Sequence, residues 1–506
     1  MQQTPLTKSK ILVHLLISPQ NNITFAAMPQ TEFEPVIGLE IHAQLQTASK
    51  MFCGDANVFG DEPNSHVSTI SLAHPGTLPV LNKKAIHLAV KLGLALHCKI
   101  NSPNYFDRKN YFYPDLPKGY QISQQAIPIC SEGYIPIVVE GKEKHIRLNR
   151  IHLEEDAGKS IHDADPIFTN IDLNRAGVPL VEMVTEPVIS SAEEAYQCLS
   201  MVRRILRHLQ VCDGNMEEGS LRCDANISVR EKGSLQLGTK VEIKNLNSIR
   251  NLKRALTFET KRLVQLLSSG EEVQQETRGF DAVSGTTYSQ RTKEEANDYR
   301  YFPDPDLPPV VISEEAIAAI QKEITTLPHE TEKEMVAKYH VSPEAASIIC
   351  EDDILLRYFE EIKNKSSQLQ AVTNWLIGPV KSFFNENPSN TEAISTKKIL
   401  SLANLTGEGH VAFATAVARI FPEVVHSDED AMQIAKRLNL IQNNDSDFLN
   451  DCVEKALNNL PDKVLEYKKG KKNLIGLFAG EVKKISKGKA DMKAALSIIQ
   501  EKLNNA

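Results

Sequence analysis

The chain has 506 residues, 41% hydrophobic and 24% charged, a composition that excludes a disordered or fibrous protein. At roughly 150 residues per domain its length corresponds to three or four domains. Its 57 Lys and Arg against 65 Asp and Glu leave a net charge of −8. No whole-chain basic field draws it to nucleic acid or an anionic membrane, so any polyanion must meet a local patch.

The eight cysteines contain no C-x-x-C pair, which fits reduced thiols in a cytoplasmic protein better than a disulfide framework or a zinc ribbon. No apolar run approaches the ~20 residues that span a bilayer. At the N-terminus Lys8 and Lys10 precede an apolar stretch from Ile11 to Ile17, a loose imitation of a short signal peptide that the cytosolic look of the remaining chain sets aside. Residues 1–32 are expected to be a disordered extension, with Met28 as an alternative start.

From Glu34 to about Pro309 the sequence is strand-like and punctuated by Gly and Pro; from Ser313 onward apolar residues recur at helical spacing. The expected class is α+β, with a mainly antiparallel β catalytic domain over 33–311, an all-α domain over 312–427 and a small all-α tail over 428–506. The boundary falls at Asp304-Pro305-Asp306-Leu307-Pro308-Pro309, where each proline disfavours helix in the residue before it.

The first strand runs from Val36 to Leu45 and sets Glu40, His42 and Gln44 on one face, because strand side chains alternate. A Glu and a His two apart can reach one ion. The block from Phe106 to Asp115, followed by Lys118, mixes aromatic and basic residues; Arg108 and Lys109 there are candidates to neutralise a transferring phosphoryl group. Next, His152-Leu153-Glu154-Glu155-Asp156 places three acids before the Gly158 turn. In a regular strand Glu154 and Glu155 face opposite ways, so only one of the two is expected to bind metal. Ala157-Gly158-Lys159-Ser160 imitates the end of a P-loop, but Leu153 stands where that loop needs glycine. Glu182 adds a carboxylate in an apolar run.

Ser191 with Glu194 forms a capping-box pattern ahead of a helix from Ala195 to Val211, and Asn247 or Ser248 caps a second helix that stops at Gly270. Between them Glu217 and Glu218 sit at the mouth of a strand that sets Arg222, Asp224, Asn226 and Arg230 on one face, and Lys240, Glu242 and Lys244 repeat that parity. The plain reading of any one such strand is a solvated face. Together, their mixture of Glu, His, Asp, Asn, Arg and Lys suits a polar trough that holds metal, carboxylate and phosphate. Glu218 and Asp224 are its candidate catalytic acids, and Arg222, Lys240 and Lys244 its candidate nucleotide-binding cations. Lys463 to Lys489 carries nine lysines against two glutamates; Lys468, Lys469, Lys471, Lys472, Lys483 and Lys484 are the candidate phosphate contacts for nucleic acid.

Several long blocks resemble the B-subunit family of bacterial aspartyl/glutamyl-tRNA(Asn/Gln) amidotransferases: Val36-Ile37-Gly38-Leu39-Glu40-Ile41-His42, Phe106 to Asp115, His152 to Ser160, Met216 to Ser228, Lys244 to Ser248, and Asp298-Tyr299-Arg300-Tyr301-Phe302-Pro303. The resemblance implies a cradle-shaped catalytic domain, a helical domain and a tRNA-binding tail. It also implies ATP-dependent activation of the mischarged Glu or Asp carboxylate, followed by amidation. The implied partners are an amidase-type A subunit supplying ammonia from glutamine, a small C subunit completing a heterotrimer, and mischarged tRNA, with no membrane. By position, Glu40, His42 and one of Glu154 or Glu155 fall where the family binds Mg²⁺, and Lys109 falls in its phosphate-contacting block. Many relatives carry a zinc-binding cysteine set whose places here read Cys53, Asp55, Ser68 and Ser71, so structural zinc is not expected. The rival readings are a metal-dependent hydrolase, which would turn over without ATP or tRNA, and a catalytically silent tRNA-binding scaffold.

Overall fold

The computed structural model describes residues 32–162, 165–292, 298–442, 445–486 and 489–505. The expectations for residues 1–31, and Lys487, lie outside them. The strands in chain order are β1 (Phe33–Gln44), β2 (Lys99–Ile100), β3 (Asp107–Asn110), β4 (Tyr120–Ser123), β5 (Cys130–Ser131), β6 (Tyr134–Val139), β7 (Lys142–Glu155), β8 (Lys159–Ile161), β9 (Asn170–Asp172), β10 (Pro179–Thr185), β11 (Leu221–Glu231), β12 (Val241–Lys244), β13 (Glu276–Asp281), β14 (Thr286–Thr292) and β15 (Phe302–Pro303). A ten-stranded sheet runs β14-β13-β12-β11-β1-β10-β7-β5-β2, with β6 also on β7; β15-β3-β4 and β8-β9 form small satellites. Every pairing in the large sheet is antiparallel except β12 with β13.

One face of this sheet is apolar. Leu39, Ile41 and Ala43 of β1, Ile151 and Leu153 of β7, Val181 and Met183 of β10, and Cys223, Ala225 and Ile227 of β11 are all buried. Helices α1 (Lys83–Ala95), α2 (Ala192–His208) and α3 (Ile249–Ser268) pack on this domain's strands, at β7, β6 and β11 respectively. With one face closed by helices, the alternate residues are left to line the other as a polar surface.

Both anticipated helices form. The Ser191 hydroxyl accepts from Glu194 N at 3.1 Å, while the Glu194 carboxylate takes Ser190 N at 2.7 Å; Ser248 caps α3 through Asn251 N. Helix α1 escaped the sequence reading. Asn82 caps it, and Gly93 within it lies against Cys130 with no room for a Cβ.

Beyond the sheet the described chain is helical, and the described residues form three separate cores, over Ile37–Leu327, Met335–Ala435 and Leu449–Leu503. Packing therefore divides the chain slightly later than the proline-rich segment suggests. Helix α4 (Glu314–Gln321) follows that segment, touches α1, and contributes Ile320 to the first core.

Ile41→Ala opens a hole in the sheet's fully buried face and should cost about 2–5 kcal/mol. Thermal melting should show a clear drop for this variant and almost none for Phe112→Ala, whose ring is 87% exposed.

Candidate active site

Strand register assembles the polar face row by row. His42 stands opposite Arg222 on β11 and Glu182 on β10, and Glu182 stands opposite His152 on β7. The adjacent row holds Asp224, Glu40, Val184 and Arg150. On the other side Gln44, Leu180 and Glu154 form a third.

From these rows four side chains converge. His42 Nε2 lies 3.3 Å from Glu182 and 3.8 Å from Glu154; His152 Nε2 lies 3.2 Å from Glu182 and 3.8 Å from Glu154. Donor atoms of His42, Glu154 and Glu182 all fall within 4.8 Å of one another, the one such group of three or more metal-binding side chains among the described residues. The electrostatics follow from the pairing. Burial opposes charge on both imidazoles, yet Glu182 and then Glu154 outweigh it, raising His42 above its ordinary value and His152 to about 9. Against its own burial, Glu182 is held well below the usual carboxylate range by His152 and His42. His152 Nδ1 is buried without a partner, so that ring is gripped only through Nε2, by the two carboxylates.

This donor set fits a divalent cation. Two carboxylates and an imidazole face one point, with a second imidazole alongside, and a cation there would displace the protons the four groups share. An imidazole nitrogen among the ligands favours Mn²⁺ over Mg²⁺.

The other expected residues are distributed differently. Glu155 points to the opposite face, buried, where its carboxylate takes Lys118 Nζ at 2.6 Å and Ile122 N at 3.0 Å and lines a cleft of about 190 Å³. Glu40 shares the face of His42 but accepts from Asn226 Nδ2 at 2.9 Å, one row from the convergence point. Arg222 and Gln44 both donate to Asp156 Oδ2, at 2.8 and 2.9 Å. Lys244 pairs with Asp224 at 2.6 Å and Glu242 at 3.2 Å. Lys240 and Glu218 are exposed, Glu218 in the turn that Asn215 caps ahead of β11. Arg108 is bound at 2.8 Å by both Asp304 and Asp306 and stacks over Tyr120. Its neighbour Lys109 instead faces the rings of Tyr299 and Tyr111. The tyrosines border the acidic centre: burial, with the charge of Glu154 and Glu182, pushes the Tyr301 hydroxyl up to about 12. Gly158 is packed against Asp115 O and Asp172 O, and Arg175 donates to the carbonyls of Ala157 and Gly158, so this segment does not form a phosphate loop.

Cys53, Asp55, Ser68 and Ser71 converge without a cluster of sulfurs. Asp55 accepts from Ser68 N at 2.8 Å and from the Ser71 hydroxyl, which also lies 3.4 Å from Cys53 Sγ. Lys50, fully buried, braces the same loop by donating to His66 O and Leu173 O, and burial pulls its ammonium below the ordinary lysine value. In the tail, Lys468, Lys469, Lys483 and Lys484 are exposed near helix C-termini. Lys471 pairs with Glu466 at 3.0 Å, and Lys472 lies 4.2 Å from the Tyr467 ring centroid.

Sequence reasoning noted Glu182 without placing it at the metal site and left out His152. The signals were a lone acid in the apolar run of β10 and the shared parity of His152 and Glu154 on β7.

An α+β domain that carries an acidic-imidazole centre is followed by a helical region. Residues 35–318 match the GatB/GatE catalytic domain, and residues 357–503 match the GatB domain. The chain is 46% identical over 470 residues to the B subunit of the aspartyl/glutamyl-tRNA(Asn/Gln) amidotransferase of Thermodesulfovibrio yellowstonii, covering 92% of this chain and 98% of that one. It is 45% identical over 477 residues to the protein of that name in Rickettsia bellii, covering 94% and 98%, and 44% identical to that of Caldicellulosiruptor saccharolyticus, covering 93% and 99%. The chain belongs to the GatB family of amidotransferase subunits.

Calorimetric titration of the purified chain should show Mn²⁺ binding more tightly than Mg²⁺. Glu182→Ala and His42→Ala should each weaken Mn²⁺ by about 10- to 100-fold, with Glu155→Ala nearly neutral.

Proposed function

We propose that this chain is the B subunit of a tRNA-dependent amidotransferase, and that its polar face uses ATP to activate the side-chain carboxylate of Glu on tRNA(Gln), of Asp on tRNA(Asn), or of both. The observation that carries the reading is the convergence of His42, Glu154 and Glu182 on the face bordered by Lys109 and its tyrosines. Family membership supplies the reaction class.

A carboxylate is a poor acyl donor, so a leaving group has to be made first. One carboxylate oxygen attacks the γ-phosphorus of ATP, the bond from that phosphorus to the bridging oxygen breaks, and ADP departs. Ammonia then adds its lone pair to the acyl carbon, the carbon–oxygen bond to phosphate breaks, and loss of a proton leaves the neutral amide. A divalent cation held by His42, Glu154 and Glu182 would offset charge on the phosphoryl oxygens. Lys109 meets the transferring group from the aromatic side. Arg222 and Lys244, through Asp156 and Asp224, keep the flanking carboxylates oriented. Arg108, tied to Asp304 and Asp306, fastens β3 to the chain after β15.

Ammonia is released by an amidase-type A subunit, a small C subunit completes the assembly, and the place of work is the cytoplasm, where charged tRNA is found. The free state of all eight cysteines agrees with that compartment, and no helix among the described residues is long and apolar enough to cross a membrane. The tRNA meets the basic edge of the tail through the exposed ammonium groups of Lys468, Lys469, Lys483 and Lys484.

In the enzyme reconstituted with its A and C subunits, His42→Ala should lower ATP-dependent amidation of Glu-tRNA(Gln) roughly 100-fold and leave glutamine hydrolysis intact. Full amidation by that variant would refute the assignment, and turnover without ATP would favour a hydrolase. Replacing Lys468, Lys469, Lys483 and Lys484 by Ala should weaken tRNA binding and flatten its salt dependence by up to about 0.9 log unit for each phosphate no longer neutralised. An unchanged salt slope would remove the tail from the interface.

A further inference from the structure

Lys109 differs from four of the cationic side chains near the trough in what holds it. Arg108, Lys118, Arg222 and Lys244 are each bound by carboxylates at 2.6–2.8 Å. Among the described residues no carboxylate lies within 4.0 Å of Lys109 Nζ. Its ammonium instead lies 4.9 Å from the ring centroid of Tyr299 and 5.7 Å from that of Tyr111. The two rings meet edge to face at 6.1 Å, and Tyr301 continues the series 6.1 Å beyond Tyr299.

The ring carriers come from distant parts of the chain and are tied together by backbone. Phe302 pairs with Arg108 across β15 and β3, Asn110 N donates to Tyr299 O at 3.0 Å, and Asn110 Nδ2 donates to Arg300 O at 2.8 Å. Arg300, between the two tyrosines, has φ +45°, a left-handed conformation that a side chain bearing Cβ adopts only at a cost. The segment is strained where it brings Tyr299 and Tyr301 together.

A ring face attracts an ammonium without cancelling its charge. A carboxylate partner would neutralise Lys109 and have to be displaced before a phosphate oxygen could approach. We propose that Tyr299 and Tyr111 are positioning residues that hold the Lys109 ammonium, without a competing anion, for the oxygens of the transferring phosphoryl group. This rests on the phosphoryl-transfer reading of the trough.

The test uses the reconstituted three-subunit enzyme and follows ATP-dependent amidation, with the partner's glutamine hydrolysis as internal control. Tyr299→Leu should lower kcat/KM for ATP about 5- to 30-fold, mainly in kcat, with KM for tRNA unchanged. Tyr299→Phe, which keeps the ring, should stay within about twofold of the parent. On a Lys109→Met background, Tyr299→Leu should add no further loss. Equal losses in the Phe and Leu variants, or a Leu loss that persists without Lys109, would overturn the proposal. If Lys109→Met is inactive while Tyr299→Leu is normal, the ring cage fails alone; if Lys109→Met amidates normally, the phosphoryl role of Lys109 fails with it. Should Tyr299→Leu melt below assay temperature, Tyr111→Leu carries the same prediction.

Discussion

The arrangement depends on giving two glutamates partners in a sheet that buries them. Glu154 and Glu182 have side chains only 5% and 14% exposed, and an unpaired carboxylate at such depth would take up a proton or destabilise the fold. Imidazoles on two different strands solve the problem. His42 and His152 lie on either side of Glu182, at 3.3 and 3.2 Å, and each also reaches Glu154. This requires β1, β10 and β7 to be in one register. A slip of one residue would turn every one of these groups into the apolar layer of Ile41, Ile151 and Met183.

The rest of the first domain follows from that face. Helices close the side carrying Leu39 and Val181, so the opposite side is free for charge. The small β15-β3-β4 sheet then brings Lys109 and the tyrosines to its border, through pairing between residues almost two hundred positions apart. Around it cations and anions are paired off in fixed couples, Arg222 with Asp156 and Lys244 with Asp224. The convergence point keeps its own balance of two acids and two imidazoles.

Much of this was legible from alternation alone. The parity of Glu40 and His42 against Leu39 and Ile41, and of Arg222 and Asp224 against Cys223 and Ala225, placed them on the polar face because strand geometry is strict. What alternation cannot supply is which strands are neighbours. Glu154 rather than Glu155 joins His42 because β10 lies between β1 and β7, and Glu40 falls a row away for the same reason. Glu182 and His152 become partners only across that pairing. Helix α1 was not read from the sequence, and it carries Gly93, a poor helix former, at a point where close packing on Cys130 leaves no room for a Cβ. Lys109 was picked out by its neighbourhood in the chain, which also holds Tyr111, but the second ring facing it, Tyr299, arrives from almost two hundred positions away.

Crystals of the protein grown with Mn²⁺ and measured at an anomalous wavelength test most directly whether one divalent cation is gripped by groups from three separate strands. A single strong peak among His42 Nε2, Glu154 and Glu182 is the expected result. A peak beside Glu155 and Lys118, or none near His42 in crystals that hold Mn²⁺ elsewhere, would contradict it.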